Sequence, residues 1–207
     1  MEILRKSIIA ISAILVFVSQ ASGQSSEEIQ KAFKASYANE YKANYTAAIA
    51  DLQKVYKADN YECNLRLGWL QYEAKQYQLS MDYYQKAMDL KKYSVEARFG
   101  YIKPAAELKK YDKVYDIYED ILKIDPYNSS ANYWVGLSYY NAKKYDIAVK
   151  YLELVVNMYP FDYDANVLLG WTYLSLGRAA DARVLFNLAL CNRPADASAT
   201  EGLGKCK

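Results

Sequence analysis

Apolar and polar positions recur along this chain with a nearly constant period. Tyr45, Tyr77, Tyr111 and Tyr145 are 32, 34 and 34 residues apart, and Ala179 continues the series. After each of these markers, a small or β-branched residue follows at the third position, a large residue at the seventh and another apolar residue at the tenth. Steps of three and four keep one face of a helix, so each period predicts an amphipathic helix of about 14 residues.

A second helical segment precedes each of these helices, and its marker is a large apolar residue followed by glycine. The pairs are Leu67-Gly68, Val135-Gly136, Leu169-Gly170 and Leu203-Gly204. Glycine inside a helix costs about 1 kcal/mol relative to alanine, so its recurrence predicts that another helix passes too close for a Cβ atom.

Proline and capping residues predict where these helices end and begin. Proline disfavours helical geometry in the residue before it, so Asp125-Pro126, Tyr159-Pro160 and Arg193-Pro194 are expected to end helices. Ser129, Asp162 and Asp196 follow at the right distance to cap the next helix.

This repeat resembles the tetratricopeptide repeat family, whose 34-residue unit is a pair of antiparallel helices. The resemblance implies an all-α, right-handed superhelical solenoid over residues 24–207, with a concave face formed by the first helix of each pair. A single pair cannot bury both of its faces, so stacked pairs share one continuous core. The repeats are expected at approximately 29–60, 61–94, 95–128, 129–162 and 163–196, followed by a capping helix over 197–207.

The third repeat departs from the pattern. Ile102 stands where glycine is expected, Gly100 comes two places early, and Pro104 falls inside the first helix. Because proline removes a helical hydrogen bond and kinks the backbone, we expect a local distortion here. The sequence leaves open whether this is a tolerated kink or a functional hinge.

The N-terminal segment has the three-part layout of a secretory signal peptide. Basic Arg5 precedes an apolar run over residues 8–18, and the small residues Ala21 and Gly23 follow. We therefore expect a signal peptide over residues 1–23, with cleavage after Gly23, or else after Ala21. The alternatives are an uncleaved anchor and a buried N-terminal helix. The expected location is the periplasm or the exterior, with no stable membrane insertion after processing, and the composition favours a bacterial envelope.

Composition disfavours several classes of function. The formal charge is only +2 and no long run of one sign occurs, which gives no electrostatic basis for binding nucleic acid. The chain has no histidine and no complete nucleophile or phosphate-loop motif, so we expect no catalytic residue, no metal and no cofactor.

The three cysteines leave two interpretations open. In an oxidising compartment, Cys191 and Cys206 are the better candidates for a disulfide, and Cys63 would stay unpaired. All three are equally well explained as small buried apolar residues.

The resemblance also implies where a partner would bind, since certain first-helix positions of such repeats line the groove and are not demanded by the fold. Here these positions carry aromatic side chains with acidic flanks and one lysine. The predicted binding residues are Trp69, Tyr72, Phe99, Lys103, Tyr133, Tyr140 and Trp171. Such a groove suits an apolar or basic segment of a protein or peptide.

The sequence therefore predicts an exported scaffold or adaptor, not an enzyme, that binds a protein partner in a cell-envelope assembly. A carbohydrate-binding module is one alternative, because tryptophan and tyrosine also stack on sugars. A self-associating structural solenoid is another, because a stack of repeats has open ends.

Overall fold

A computed structural model describes residues 25–207, and this part of the chain forms eleven α-helices and no strand. The predicted signal peptide, residues 1–23, lies outside the described residues. The first helices of the pairs are α1 (Ser26–Glu40), α3 (Tyr61–Glu73), α5 (Val95–Glu107), α7 (Ser129–Asn141), α9 (Tyr163–Ser175) and α11 (Ala197–Lys205). The second helices are α2 (Tyr45–Gln53), α4 (Tyr77–Leu90), α6 (Tyr111–Ile124), α8 (Tyr145–Met158) and α10 (Ala179–Asn192).

The helix pairs stack in chain order, and the all-α solenoid is confirmed. The second helices α4, α6, α8 and α10 each have 14 residues, as the apolar spacing predicts. Three of them end directly before the Asp125-Pro126, Tyr159-Pro160 and Arg193-Pro194 pairs. Helix α1 begins at Ser26, three residues before the expected start of the first repeat.

Each first helix begins on a side chain that accepts a hydrogen bond from the backbone N–H three residues later. From α3 onward the caps recur at every 34th residue: Asn60, Ser94, Asn128, Asp162 and Asp196. The expectation for Ser129 was wrong, because the Asn128 side chain reaches the Ala131 N–H at 3.1 Å and Ser129 is the first helical residue. Such a cap stabilises a helix by about 1 kcal/mol.

A buried asparagine fixes the loop that precedes three of these helices, α3, α7 and α9. The Asn132 side-chain amide donates to the carbonyls of Pro126 and Asn128, both at 2.9 Å. Asn64 and Asn166 make the same pair of bonds in their own repeats. These bonds satisfy loop carbonyls that packing has removed from water, so the turn between successive pairs has one geometry.

Glycine lets an aromatic side chain sit between two neighbouring first helices. A Cβ atom on Gly170 would lie 2.9 Å from the Phe186 ring, and one on Gly202 would lie 2.3 Å from it. The Tyr84 ring is held in the same way between Gly68 and Gly100. The predicted close approach is therefore confirmed at Gly68 and Gly170, and at Gly136, where the neighbour is Leu152.

The predicted close approach was wrong for the last apolar-glycine dipeptide, Leu203-Gly204. Gly204 has no neighbour within 4 Å of an added Cβ atom, and Gly202 makes the close approach instead. The physical reason is that the first-helix glycine of a pair packs on the second helix of the same pair. Helix α11 is followed by no second helix among the described residues.

The third repeat is less distorted than Pro104 predicts. Helix α5 runs unbroken from Val95 to Glu107 with Pro104 inside it. The looser step lies between α5 and α7, where Trp134 occupies the position that Gly100 holds one repeat earlier. The Trp134 ring stacks on Tyr118, with centroids 6.0 Å apart and planes 14° apart, and it fills the space that glycine leaves open elsewhere.

First helices pack directly on one another at α3–α5, α7–α9 and α9–α11, whereas the second helices pack on first helices. When like helices are compared within residues 25–207, neighbouring repeats approach more closely at their first helices than at their second helices, so the first-helix side of the stack is the shorter, concave one. We call the surface that the first helices form along this side the groove.

The three cysteines are free thiols, with Cys63 and Cys206 buried and Cys191 exposed. The Cys206 carbonyl accepts a hydrogen bond from Arg183, which lies at the start of α10, eight residues before Cys191. Eight residues correspond to about 12 Å along a helix, so Cys191 lies at the opposite end of α10. The Cys191–Cys206 disulfide is thus not formed in this structure, and the buried-residue interpretation fits Cys63 and Cys206.

Candidate functional site: the groove

All seven predicted binding residues lie on first helices. Lys103 is exposed and the six aromatic residues are partly buried. The structure brings Trp69, Tyr72 and Lys103 together in one cluster and places Trp171 in a second. Phe99, Tyr133 and Tyr140 lie outside both clusters, and the described residues form no continuous floor of ring contacts. Each cluster contains a tryptophan with a lysine beside it, and the lysine comes from the next first helix.

The first cluster contains Trp69, Tyr72 and Lys103. The Trp69 and Tyr72 ring centroids are 5.8 Å apart. The Lys103 ammonium lies 4.8 Å from the Trp69 centroid and 5.9 Å from that of Tyr72. The electron-rich faces of aromatic rings attract cations at such distances. Burial, followed by the charges of Glu107 and Glu73, raises the pKa of Tyr72.

Glu40 of α1 anchors this cluster from one side. It accepts hydrogen bonds from the Arg66 guanidinium and from the Trp69 indole N–H. Burial raises the pKa of Glu40, but the bonds from Arg66 and Trp69 outweigh it and the net pKa is lowered. Arg66 also stacks on Tyr37, with its guanidinium carbon 3.8 Å from the ring centroid. The indole N–H of Trp69 is therefore already bonded and its edge is held in place.

The second cluster surrounds Trp171 and repeats this arrangement with different partners. The Trp171 indole N–H donates to the Ser198 hydroxyl at 3.0 Å, and its ring packs on Phe186 with centroids 5.3 Å apart. The Lys205 ammonium lies 5.1 Å from the Trp171 centroid. Lys205 follows Trp171 by 34 residues, as Lys103 follows Trp69, so each lysine occupies the same place on the next first helix.

The other predicted residues take part mainly in packing. Phe99 contacts Tyr118 with centroids 6.3 Å apart, and Tyr140 contacts Tyr145 at 5.5 Å. Tyr133 packs edge-on against Trp134 at 5.6 Å. Burial, followed by Asp164 and Asp162, raises the pKa of Tyr133, so its hydroxyl remains protonated at neutral pH.

Sequence reasoning missed Trp134, the most exposed tryptophan of residues 25–207, at 41%. It lines a cleft of about 260 Å³ beside Tyr133, Tyr159 and Asp164. A signal was present in the sequence, because the equivalent positions one repeat before and two repeats after are Gly100 and Gly202. Arg66 and Leu168 stand at the other equivalent positions, so the residue type varies here from repeat to repeat.

A larger cleft lies at the first junction and was also missed. We call it the α1–α3–α5 cleft, after the helices that supply most of its walls. It has a volume of about 450 Å³, and Tyr37, Trp69, Tyr84, Glu62 and Glu96 are among the residues that line it. It combines aromatic rings with carboxylates, whereas the sequence placed the acidic residues only at the flanks of the groove.

Residues 25–207 contain no group of three histidine, cysteine, aspartate or glutamate side chains that could hold a metal ion. No helix in the same range is long and apolar enough to cross a bilayer. The chemistry available in the groove is thus that of rings, carboxylates, hydroxyls and lysines, which bind by stacking, charge and hydrogen bonds.

Solved structures with the same architecture extend over most of the chain. A MamA protein is 21% identical with a TM-score of 0.67, over 80% of this chain and 92% of its own. A tetratricopeptide repeat protein from Parabacteroides merdae is 18% identical with a TM-score of 0.71, over 87% of this chain and 72% of its own. YrrB, described as a TPR protein with an unusual peptide-binding site, is 16% identical with a TM-score of 0.68, over 87% and 92%.

At these identities the likenesses show the fold alone. No curated protein matches the chain. The family model of the tetratricopeptide repeat matches residues 33–95 and 133–200, which together are more than half of the sequence. The matched segments include just over half of α1, all of α2 to α4, most of α7, all of α8 to α10 and the start of α11. With the 34-residue register of helices, caps and glycines, this match establishes that the chain belongs to the tetratricopeptide repeat family.

Proposed function

We propose that this protein is a scaffold or adaptor that binds a segment of a partner protein in its groove. The observation that carries the proposal is the pair of tryptophans on the first helices, Trp69 and Trp171. Each donates a hydrogen bond from its indole N–H, and a lysine ammonium lies over each ring. Rings fixed in this way lose little side-chain entropy on binding, which is the property of interface hot spots. YrrB, a similar solenoid, is described as having a peptide-binding site.

A protein segment suits these clusters better than a carbohydrate. Sugar binding needs free polar groups at the edges of the stacking rings. Here the indole N–H groups of both tryptophans are bonded internally, to Glu40 and Ser198. The other neighbours of the Trp171 ring include apolar side chains such as Phe186. Rings with apolar neighbours and occupied polar edges favour an apolar or basic peptide.

The proposal also includes export and a role in a cell-envelope assembly. Its support is the signal-like layout of residues 1–23, in which Arg5 is followed by an apolar run and small residues. A solenoid with a long groove fits the role of holding one partner in register with another.

Photo-crosslinking in the native host tests both parts of the proposal. A photoreactive phenylalanine analogue replaces Lys103 or Lys205, whose exposed side chains lie over the two tryptophans. Lys150, exposed on the second helix α8, is the matched control. We expect a defined protein adduct from positions 103 and 205 and none from 150. The mass of the recovered protein should correspond to cleavage after Gly23.

Equal adducts from all three positions would contradict binding in the groove. An adduct between two copies of this chain would indicate a self-assembling solenoid instead of an adaptor. An intact N-terminus on a protein recovered from the cytoplasm would overturn the export part alone.

A further inference from the structure

The cleft that Trp134 lines differs from the two groove clusters in its free polar groups. We call it the Trp134 cleft. It lies between the first turns of α7 and α9 and the end of α8, and its lining includes Ser129, Ser130, Tyr159 and Asp164. Because Ser130, Tyr159 and Asp164 are exposed, a ligand can reach them from solvent without displacing a helix.

The Trp134 ring is fixed in place, yet its polar edge is free. Its indole N–H has no hydrogen-bond acceptor within residues 25–207, whereas those of Trp69 and Trp171 are bonded. Tyr118 stacks on the ring and Tyr133 meets it edge-on, and the residue is still 41% exposed. A ring that its neighbours hold can stack on a ligand with little loss of side-chain entropy.

The α7 side of the cleft supplies hydrogen-bond donors. Ser129 and Ser130 lie in the first turn of α7, and neither hydroxyl makes a hydrogen bond within the described part of the chain. The backbone N–H groups of these two residues also have no helical acceptor, because they precede the first hydrogen bond of the helix, which Asn132 donates. This wall therefore combines free N–H groups with hydroxyls that can donate or accept.

The α9 side supplies acceptors. One oxygen of Asp162 caps α9 by accepting the Ala165 N–H at 2.8 Å, and the other has no partner within residues 25–207. Asp164 has a single ion-pair partner in the same range, Arg193 at 3.9 Å. Burial raises the pKa of Tyr133, and the charges of Asp164 and Asp162 raise it further, so both carboxylates lie near this ring.

The same place in the fold, two repeats earlier, holds a cleft of different chemistry. Lys91 stands where the later cleft has Tyr159, and Tyr61 stands where it has Ser129. The Tyr61 hydroxyl is already bonded to Ser94 at 2.8 Å. The repeat architecture thus forms a cleft at both junctions, and the earlier one provides an internal control for the later one.

We infer that the Trp134 cleft binds a neutral sugar ring of a glycan. The C–H groups on the face of a pyranose ring pack on aromatic rings, and the hydroxyls around its edge donate and accept hydrogen bonds. The exposed rings of Trp134 and Tyr159 supply the first contact, and the free groups on α7 and α9 supply the second. The cleft volume of about 260 Å³ is small for a ligand site and suits a single ring. Its two carboxylates would repel an acidic sugar.

This inference does not rest on the proposed function, because the Trp134 cleft shares no residue with the clusters around Trp69 and Trp171. The cleft has the free polar groups beside stacking rings that those clusters lack. A glycan in the cleft and a protein segment in the groove would let one chain hold the two together.

Nuclear magnetic resonance of the tryptophan side chains provides a direct test on the full chain. The three tryptophans give three indole N–H signals, assigned by single substitution to phenylalanine. The probes are neutral oligosaccharides of glucose, N-acetylglucosamine, galactose and mannose. Sorbitol, which has hydroxyls but no ring face, and oligogalacturonate, which has rings with carboxylates, are the controls.

We expect the Trp134 signal to shift saturably with at least one neutral oligosaccharide, about tenfold more tightly than with oligogalacturonate because of the charge of Asp162 and Asp164. Sorbitol should give no saturable shift. The Trp69 and Trp171 signals should stay unchanged, and they also report that each variant remains folded.

Variants then assign the binding to the named groups. We expect Asp164→Asn to weaken the Trp134 response about tenfold, because a charged acceptor is lost, and Ser130→Ala to weaken it severalfold. Glu96→Gln is the matched control. Glu96 is the equivalent of Asp164 two repeats earlier and lines the other cleft, so this variant should leave the response unchanged.

The absence of a saturable Trp134 shift with all the neutral oligosaccharides would overturn the inference. A response as strong with sorbitol or oligogalacturonate, or one that Asp164→Asn leaves unchanged, would do the same. A photoreactive residue at position 130 that captured a protein and no glycan would assign the cleft to the protein partner instead. None of these outcomes depends on the adducts from positions 103 and 205, so failure of the sugar site and failure of the proposed function are distinguishable.

Discussion

At the scale of single residues, two glycines of one helix have opposite roles. Gly202 and Gly204 both lie in α11, yet only Gly202 contacts the Phe186 ring. The core has no room for a Cβ atom at Gly202, whereas Gly204 exposes backbone and no packing contact depends on its small size. This difference gives a matched pair of substitutions in one nine-residue helix.

We expect Gly202→Ala to destabilise the protein and Gly204→Ala to stabilise it. The new Cβ atom at 202 would lie 2.3 Å from the Phe186 ring, and overpacking of this kind costs about 1–3 kcal/mol. At position 204 an added Cβ atom meets nothing within 4 Å, so alanine should gain about 0.5–1 kcal/mol. Urea unfolding of both variants measures the two shifts, and shifts of the same sign would refute the assignment.

Contacts across repeats explain why some residues could not be assigned from the sequence. The 34-residue register identified Gly68, Gly136 and Gly170 because each packs within its own repeat. Gly100 and Gly202 pack on the second helix of the previous repeat, and the within-repeat pattern does not show that contact. The lysine beside each groove tryptophan comes from the next first helix, so the sequence predicted Trp69 and Lys103 as separate binding residues and missed their contact.

At the scale of the helix pair, the turn between its two helices has a left-handed residue. This position is Lys75, Lys109 and Lys143 in three successive repeats, with φ of 59°, 56° and 58°, and Gly177 in the next, with φ of 75°. A side chain in this conformation costs about 1–2 kcal/mol, which glycine avoids. Ala43, with φ of 54°, takes this conformation in the turn between α1 and α2. The fold therefore tolerates a small strain in four of these five turns and relieves it at Gly177.

We expect Lys143→Gly to raise the free energy of unfolding by up to about 1 kcal/mol, because the strain at φ 58° is removed while the unfolded chain gains some entropy. Gly177→Lys should lower it by a similar amount. Thermal and urea unfolding measure both changes.

The control for this pair is Lys150→Gly, the same substitution at an exposed position inside α8. Glycine in a helix interior costs about 1 kcal/mol, so this variant should be less stable than the parent. If Lys143→Gly also lowered the free energy of unfolding, the lysine side chain would stabilise the turn by more than the strain at φ 58° destabilises it.

At the scale of the whole molecule, one repeat position carries Gly100, Trp134, Leu168 and Gly202 in successive repeats. The size of its side chain relates to how closely neighbouring first helices pack. Where this position is Gly100 or Gly202, the first helices pack directly on each other, and Leu168 still permits contact between α7 and α9. At Trp134 the ring stacked on Tyr118 separates α5 from α7. The sequence predicted a distortion inside the third repeat, at Pro104, which α5 accommodates without a break, and it did not predict the separation at Trp134.

Helix α11 packs on both helices of the α9–α10 pair. Helix α11 covers Phe186 and contributes Ala199, Gly202 and, just beyond its end, Cys206 to the same buried cluster. Without it, the α9–α10 pair would expose the face that every other pair buries against its neighbour. Exposing a large apolar side chain costs about 1.5–3 kcal/mol, so the stability of the α9–α10 pair depends on α11.

We expect deletion of residues 197–207 to destabilise the protein, and the effect should fall off with distance along the stack. Because each repeat contacts only its neighbours, α9 and α10 should lose hydrogen-exchange protection first, while α3 and α4 keep most of theirs. Deletion of Lys207 alone, an exposed residue, is the control and should change nothing. Uniform loss of protection from α3 to α10 would instead mean that the solenoid unfolds as a single cooperative unit, in which the groove clusters at Trp69 and Trp171 are energetically coupled despite their separation.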